Sequence, residues 1–269
     1  MEVLTKTLCS KRNTEIPVTI IEGNNNKSPL VMMVHGFKAD RTEDGRFLTV
    51  GRALAEDGVS SVMMGFPGCD ESKEDFLYYT PENCLSDIET CYAYMKENYD
   101  IDETRIGMIG YSMGGRLTSV FVQRHPEVRV IGLWAAACFD AFDGQDTFLG
   151  MPVEEMKQEA KEKGYCDFLN VFDNTWLKLN REFLEQMETL SPEEGLRSFK
   201  GAAIVVHGDA DITVKYEIAE RSIGNLVKAE KKELVTVHEA DHGFGAWDNR
   251  PDLSAQLTDN TIRFFRENL

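Results

Sequence analysis

Residues 105–123 read R-I-G-M-I-G-Y-S-M-G-G-R-L-T-S-V-F-V-Q. The stretch begins with a short apolar run, residues 105–109, that is typical of a buried strand, and residues 113–123 have the apolar spacing of a helix. Ser112 lies on the turn between them, where the flanking glycines remove side chains that would clash in a strained backbone. The stretch therefore predicts a strand, a tight turn and a helix, with the serine hydroxyl presented above a sheet.

The predicted turn gives Ser112 the surroundings that a nucleophilic serine needs. The helix N-terminus that begins at Met113 supplies unsatisfied N–H groups and a partial positive charge, which suit a developing oxyanion. A serine hydroxyl is a weak nucleophile, so it needs a general base, and the base needs an acid that orients it. We therefore look for a histidine and a carboxylate that can reach Ser112.

The base must come from five histidines, which are His35, His125, His207, His238 and His242. His35 and His207 each end a predicted strand and precede a glycine, so we expect both to pack beneath the site. His125 lies at the far end of the nucleophile helix. His242 follows the last predicted strand in a loop that can reach over the strand ends, and we predict it as the base.

The spacing alone leaves the acid open. Asp209 and Asp211 both lie in the turn 207–214, and one can bond the imidazole while the other caps the following structure. Asp140 and Asp143 follow an earlier strand and are further candidates, because that strand should lie near the nucleophile.

The rest of the chain alternates short apolar runs with helix-period segments. This alternation is typical of a mostly parallel sheet covered by helices on both faces, so we predict an α/β fold of about eight strands. The predicted strands, beginning with a hairpin, are residues 2–8, 15–21, 30–34, 60–64, 105–109, 130–136, 202–206 and 233–237. The predicted helices are residues 45–56, 81–98, 113–123, 216–227 and 253–266.

One connection, residues 139–190, is far longer than an ordinary crossover between consecutive strands. Within it we predict a charged helix, a hairpin turn and an amphipathic segment, at residues 153–163, 173–174 and 181–187. Because it leaves the carboxyl end of a strand, where open α/β sheets bind ligands, we predict a cap over the site. Residues 1–138 and 191–269 then form the core. A packing extension or an oligomer contact is the alternative interpretation of the insertion.

On these motifs the chain resembles the α/β-hydrolase family over nearly all of its length. The order of the nucleophile Ser112, an acid and the base His242 matches the family. So do His35-Gly36-Phe37 after the third strand and His207-Gly208-x-x-Asp211 after a later one. The resemblance implies that Asp211 is the acid.

The same resemblance implies an oxyanion hole and an activity. The oxyanion donors would be the backbone N–H groups of Phe37 and Met113. Within the family the chain is most similar to bacterial feruloyl (cinnamoyl) esterases and their serine-peptidase-like relatives. The implied function is a serine hydrolase that cleaves carboxylic esters, such as feruloyl, cinnamoyl or other small acyl esters, without a cofactor or a metal.

Three aromatic residues of the insertion, Phe168, Phe172 and Trp176, could wall a phenolic pocket, or they could simply pack the cap. Two other functions remain open. The first is a serine peptidase or amidase that uses the same three residues, and the second is a non-catalytic binding protein built on the same scaffold. A dehalogenase or an epoxide hydrolase would place an acid where Ser112 stands, and both are excluded.

The overall composition indicates which kinds of partner the protein can bind. The net charge is −17 and the isoelectric point is about 4.7, so the surface should repel nucleic acids and anionic lipids. The longest apolar run, residues 130–139, is well short of the ~18 residues that a spanning helix needs. The six cysteines have no metal-binding spacing and are expected as free thiols in a cytoplasmic protein. The expected ligand is a small ester, and a homodimer is left open.

Overall fold

The computed structural model describes residues 2–23, 26–142, 146–170 and 173–269. In chain order the strands are β1 (Val3–Cys9), β2 (Glu15–Ile21), β3 (Ser28–Val34), β4 (Ser60–Met64), β5 (Ile101–Tyr111), β6 (Val128–Trp134), β7 (Thr147–Phe148), β8 (Met151–Pro152), β9 (Tyr165–Asn170), β10 (Thr175–Asn180), β11 (Ala202–Gly208) and β12 (Lys231–Val237). The helices are α1 (Arg46–Glu56), α2 (Pro81–Asn98), α3 (Met113–Arg124), α4 (Val153–Lys163), α5 (Arg181–Thr189), α6 (Pro192–Ser198), α7 (Tyr216–Asn225) and α8 (Pro251–Asn268). Phe76–Tyr78 forms a short 3₁₀ helix. None of the helices within the described ranges is long and apolar enough to span a bilayer.

Eight of the strands form one sheet, in the order β1-β2-β4-β3-β5-β6-β11-β12. The strand β2 runs antiparallel to both β1 and β4. From β4 to β12 every pair is parallel. The sheet confirms the predicted fold class and its opening hairpin. Because the strands from β4 to β12 share one direction, their carboxyl ends meet at one edge, where α/β sheets bind ligands.

The strand β3 shows why the central strands read as continuous apolar runs. Its side chains alternate between two hydrophobic clusters, with Leu30, Met32 and Val34 in the cluster packed under α2 and α3. Val31 and Met33 belong to the cluster under α1 and α8. Both faces of the sheet are therefore covered, and a strand buried on both faces has no polar alternation.

The observed ends of strands and helices differ from the predicted ends where the apolar pattern gives no signal. The strand β5 begins at Ile101, four residues before the predicted start, because Ile101 pairs with Ser28 of β3 ahead of a register shift, and residues 103–105 have exposed side chains that give no apolar signal. The strand β6 ends at Trp134 because Ala135 turns the chain out of the sheet with a positive φ of 41°. The helix α6 has no predicted counterpart, since its seven residues are too few to show a helical period.

The insertion, residues 139–190, folds into the small hairpin β7–β8, the helix α4, the hairpin β9–β10 and the helix α5. The helix α4 has the predicted bounds, and the second hairpin turns where Asp173-Asn174 predicted a turn. Apolar side chains of α4, β9 and α5 join the same hydrophobic cluster as the helix α3.

Arg116 attaches both ends of the insertion to the helix α3. Its guanidinium donates hydrogen bonds to the carbonyl oxygen of Phe139, where the insertion begins. It also donates to the carbonyl oxygens of Met187 at 2.6 Å and Leu190 at 2.9 Å, where the insertion ends. Arg116 is only 1% exposed, and burial lowers its pKa to about 10, so it stays protonated at neutral pH.

The close approach of α3 to the sheet predicts a large effect of one methyl group. A Cβ atom added to Gly114 would lie 1.9 Å from the carbonyl oxygen of Val34, a backbone atom of β3 that cannot move aside. We expect Gly114→Ala to lower the free energy of unfolding by about 3 kcal/mol. Chemical denaturation, followed by far-UV circular dichroism, measures the change.

Gly224→Ala is the matched control, because a Cβ atom there meets nothing within 4 Å and the residue lies in α7. Alanine should stabilise that helix by about 0.5–1 kcal/mol. Equal effects of the two substitutions would contradict the packing of α3 described above.

Candidate active site

Ser112 occupies the turn between β5 and α3, with φ 52° and ψ −114°. Positive φ is uncommon for residues other than glycine and persists only where the surroundings impose it. Here the N–H of Ser112 donates to the carbonyl oxygen of Trp134 at 2.8 Å, and its own carbonyl accepts from Ala137 at 3.0 Å. These bonds to the neighbouring strand and the chain beyond it hold the serine in its strained conformation at the helix N-terminus.

The structure brings Ser112 together with His242 and Asp211. The Oγ atom of Ser112 lies 3.0 Å from Nε2 of His242, and Nδ1 of His242 lies 2.7 Å from Oδ2 of Asp211. An ionised carboxylate can only accept hydrogen bonds, so Nδ1 carries the imidazole proton. Nε2 is then free to accept a hydrogen bond from the serine hydroxyl. This tautomer is the one that a general base acting on Ser112 requires.

Asp211 is buried, and its carboxylate is held in place by several donors. Oδ1 accepts from the N–H groups of Thr213 at 2.8 Å and Val214 at 2.9 Å. Nε2 of His207, which also donates to the carbonyl of Val214, lies 3.3 Å from Oδ2. Although burial disfavours the charged form, the hydrogen bonds from His207 and His242 lower the pKa of Asp211 to about 2. Asp211 is therefore ionised at every pH at which the protein would work.

The other candidate acids have different partners. Asp209 is exposed, and its Oδ2 lies 2.8 Å from Nδ1 of His238. Asp140 accepts from the hydroxyl of Ser191 at 2.7 Å, at the start of α6. The position of Asp143 lies outside the described residues.

The resemblance implies oxyanion donors at the backbone amides of Phe37 and Met113. Phe37 and Met113 line one cavity with Ser112, and within the described ranges neither N–H donates to another protein group. The Phe37 ring is fixed by edge contacts with five other rings, at centroid distances of 5.3 to 5.8 Å, from Phe76, Tyr79, Phe148, Phe168 and Phe183. The loop that follows β3 is therefore packed rigidly beside the serine.

The remaining histidines lie away from the serine hydroxyl. His35 is fully buried, with Nδ1 2.7 Å from the carbonyl oxygen of Gly36 and Nε2 accepting from the N–H of Phe66 at 3.2 Å. Burial lowers the pKa of His35 to about 4, so the ring is neutral. His125 stacks on Phe121 with ring centroids 3.9 Å apart at the end of α3.

Two cavities of different character meet at Ser112. One has a volume of about 300 Å³, lies on the His242 side and is the more polar of the two. Its charged and aromatic lining residues are Phe37, Lys38, Asp40, Glu43, Asp44, Arg46, Tyr111, His242 and Trp247. The other has a volume of about 60 Å³ and lies under the insertion, with the apolar lining residues Ala137, Phe139, Phe142, Phe148 and Val214. Phe142 and Phe148 carry no sequence signal beyond their place soon after β6.

The aromatic side chains of the hairpin β9–β10 are placed differently from the sequence prediction. Trp176 is 66% exposed and lines neither cavity. It pairs across the hairpin with Leu169, which faces away from the buried Phe168 because side chains alternate along a strand. Phe168 is the hairpin aromatic that packs toward the site, against Phe37. Phe172 lies outside the described residues.

No group of three or more histidine, cysteine, aspartate or glutamate side chains in the described ranges is arranged to hold a metal ion. All six cysteines are free thiols, and Cys9 is the exposed one. The groups at the site are the Ser112 hydroxyl, the His242 imidazole, the Asp211 carboxylate and the backbone amides of Phe37 and Met113.

A mostly parallel sheet with a serine turn, an acid turn and a histidine loop at its carboxyl edge has the architecture of an α/β-hydrolase. Residues 53–269 match the model of the prolyl oligopeptidase family. The chain belongs to this family, and its class is that of a hydrolase.

Solved structures of esterases share the fold at low sequence identity. Est1E from Butyrivibrio proteoclasticus, in a structure with ferulic acid bound, is 19% identical with a TM-score of 0.78, over 97% of this chain and 99% of that chain. The esterase EaEST from Exiguobacterium antarcticum is 20% identical with a TM-score of 0.66, over 97% and 100%. The esterase Pf2001 from Pyrococcus furiosus is 17% identical with a TM-score of 0.66, over 98% and 93%. The predicted resemblance to α/β-hydrolase esterases is confirmed at the level of the fold.

The two aspartates of one turn provide a matched pair for testing the acid. Asp211→Asn would present an amide to Nδ1 of His242 and hold the wrong tautomer, so we expect kcat to fall by about 10⁴-fold. Asp209→Asn makes the same chemical change beside the exposed His238 and should change kcat by less than about twofold, because exposed pairs contribute little. Steady-state hydrolysis of p-nitrophenyl acetate measures both, and the reverse order of effects would assign the acid to Asp209.

Proposed function

We propose that this protein is a serine hydrolase that cleaves carboxylic esters through an acyl-enzyme intermediate. The observation that carries the proposal is the continuous hydrogen-bond chain from Ser112 through His242 to the buried carboxylate of Asp211. This chain ends at the point where the two cavities meet, so a bound ester can reach the serine hydroxyl from either side.

The reaction follows from the atoms in place. Oγ of Ser112 attacks the ester carbonyl carbon while Nε2 of His242 takes the hydroxyl proton. The amides of Phe37 and Met113 donate to the resulting oxyanion, and Asp211 stabilises the imidazolium through Nδ1. The tetrahedral intermediate collapses, and the alcohol leaves with the proton from His242. Water, activated by His242, then adds to the acyl-enzyme and releases the carboxylic acid and Ser112.

The shape of the site supports an apolar acyl group of modest size. The small cavity beneath the insertion is walled by Phe139, Phe142 and Phe148, and it contains the amide of Met113. We assign the acyl group to it, with residues 139–190 acting as the cap. Est1E, whose structure contains ferulic acid, has the same fold, which supports a feruloyl, cinnamoyl or other small acyl ester as substrate.

A serine peptidase or amidase is the second candidate, and membership of the prolyl oligopeptidase family favours it. The chemistry is the same, except that His242 must protonate an amine leaving group. The esterase proposal rests on the apolar acyl cavity and on the esterases that share the fold. Hydrolysis of aminoacyl anilides in place of methyl ferulate and p-nitrophenyl esters would favour the peptidase.

Ser112→Ala should abolish turnover while leaving the fold intact, because the turn tolerates a smaller side chain. Removing the nucleophile is expected to lower kcat by about 10⁴- to 10⁶-fold. A fluorophosphonate probe should label the wild-type protein once per chain and should not label the variant. Intact-protein mass spectrometry measures the extent of labelling.

The wild-type labelling also tests the third interpretation. A properly folded wild-type protein that neither reacts with the probe nor hydrolyses any ester or anilide would support a binding protein on this scaffold. Ester hydrolysis that survives in Ser112→Ala would place the nucleophile elsewhere.

Phe148→Ala and Trp176→Ala separate the apolar cavity from the outer face of the hairpin. Phe148 lines the cavity beside Ser112, so its truncation should lower kcat/KM for methyl ferulate about tenfold or more relative to p-nitrophenyl acetate. Trp176 is exposed, and its truncation should leave that ratio unchanged. A ratio that depends on Trp176 and not on Phe148 would place the acyl group against the hairpin, as the sequence alone predicted.

A further inference from the structure

A buried ion pair lies against the polar cavity, and none of the steps above uses it. Nη2 of Arg46 is 3.2 Å from Oε2 of Glu43, and the two residues are 8% and 2% exposed. Burial raises the pKa of Glu43, while the adjacent Arg46 guanidinium and the N–H of Gly36 favour its charged form. A buried ion pair contributes little net stability, because desolvation offsets the attraction between the charges.

The backbone that carries Glu43 is strained. Three successive residues, Glu43, Asp44 and Gly45, have positive φ values of 51°, 53° and 83°. Residues with side chains adopt this conformation singly and at a cost, and strain of this kind concentrates at functional sites. The strained turn directs the Glu43 carboxylate into the protein and places Arg46 as the first residue of α1.

The pair contacts the loops on both sides of the serine. Oε1 of Glu43 accepts from the N–H of Gly36 at 2.6 Å, one residue before the oxyanion amide of Phe37. Nη1 of Arg46 donates to the carbonyl oxygen of Gly243 at 3.0 Å, one residue after His242.

A third contact reaches the nucleophile turn itself. The guanidinium of Arg46 lies 4.9 Å from the centre of the Tyr111 ring, and Tyr111 directly precedes Ser112. The Tyr111 hydroxyl donates to the carbonyl oxygen of His242 at 2.7 Å, and the two rings stack with centroids 5.2 Å apart. Glu43, Arg46 and Tyr111 therefore join the oxyanion loop, the nucleophile turn and the histidine loop in one network.

We propose that Glu43 and Arg46 are positioning residues, which hold the Phe37 amide and the His242 imidazole at fixed places around Ser112. The proposal rests on the proposed function. Neither side chain exchanges a proton or a bond with the substrate. Their effect is on geometry, where a shift of about 1 Å can cost 10²-fold in rate.

Two conservative substitutions and one double variant test the proposal. Glu43→Gln keeps an oxygen for the Gly36 N–H but removes the carboxyl group that contacts Arg46, and Arg46→Met keeps an unbranched apolar stem but loses every donor. Arg52→Met and Glu56→Gln are the controls, because both residues are exposed on the same helix α1. The readouts are kcat and KM for p-nitrophenyl acetate, and the inhibition constant of a trifluoromethyl ketone. This ketone forms a hemiketal oxyanion with the serine and so reports on the oxyanion hole.

We expect Arg46→Met to lower kcat by about 10²-fold with KM changed less than threefold, and Glu43→Gln to lower it by about tenfold. The ketone should bind more weakly by the same factors. The double variant should be no worse than Arg46→Met, because the two residues act as one unit. The control variants should match the wild type in both readouts.

A purely structural role would give a different result. The free energy of unfolding would fall, while kcat per active site, counted by fluorophosphonate labelling, and the ketone's inhibition constant would stay at wild-type values. That result, or additive losses in the double variant, would overturn the proposal. Arg46→Lys provides a second variant if Arg46→Met does not fold, and it should lose an intermediate amount of kcat. Failure of the proposed function would appear in the wild type itself, as a protein that neither turns over esters nor reacts with the label.

Discussion

The close approach of the helix α3 to the sheet is the constraint on which the site depends. A Cβ atom on Gly114 would lie 1.9 Å from the carbonyl oxygen of Val34, so only a glycine at this position lets the helix begin so close to β3, directly after the strained Ser112. The strained serine, the helix N-terminus and the loop after β3 are thereby brought to one point. The strain is compensated by bonds from the adjoining strand and the chain beyond it, which is how unusual backbone persists in a folded protein.

The parallel strands place the other groups of the site at the same edge of the sheet. The loops that follow β3, β5, β11 and β12 contribute an amide, the Ser112 hydroxyl, a carboxylate and an imidazole, and the insertion follows β6. Three sets of contacts hold these loops: aromatic packing around Phe37, hydrogen bonds to the carboxylate of Asp211, and the buried Glu43–Arg46 pair, which contacts both Gly36 and Gly243. The insertion is attached to the nucleophile helix by Arg116. The site is therefore built from backbone positions that several elements determine together.

Much of the fold could be predicted because its signals are local. The strand β4 and the helices α2 and α4 have the predicted bounds, since apolar runs, Pro81 at a helix start and Gly164 at a helix end are all short-range features. The polar start of β5 and the short helix α6 could not be predicted, because pairing and packing with distant segments form them. Trp176 shows the same limit, since its exposure depends on the pairing register of the hairpin.

For the site, the sequence by itself determined the residues whose role follows from their own turn. Ser112 is set by the glycines and the apolar strand beside it, and His242 by its place in a loop after the last strand. The residue spacing left Asp211 and Asp209 as alternatives, and the family resemblance favoured Asp211. Only the tertiary structure shows that Asp211 lies against His242 and Asp209 against His238. Likewise, the hydrogen bond from Arg46 to the carbonyl oxygen of Gly243 joins residues that are 197 positions apart in the chain, so only the folded structure shows it. Local propensity acts over a few residues, whereas the contacts that orient a site join segments that only the packed sheet brings together.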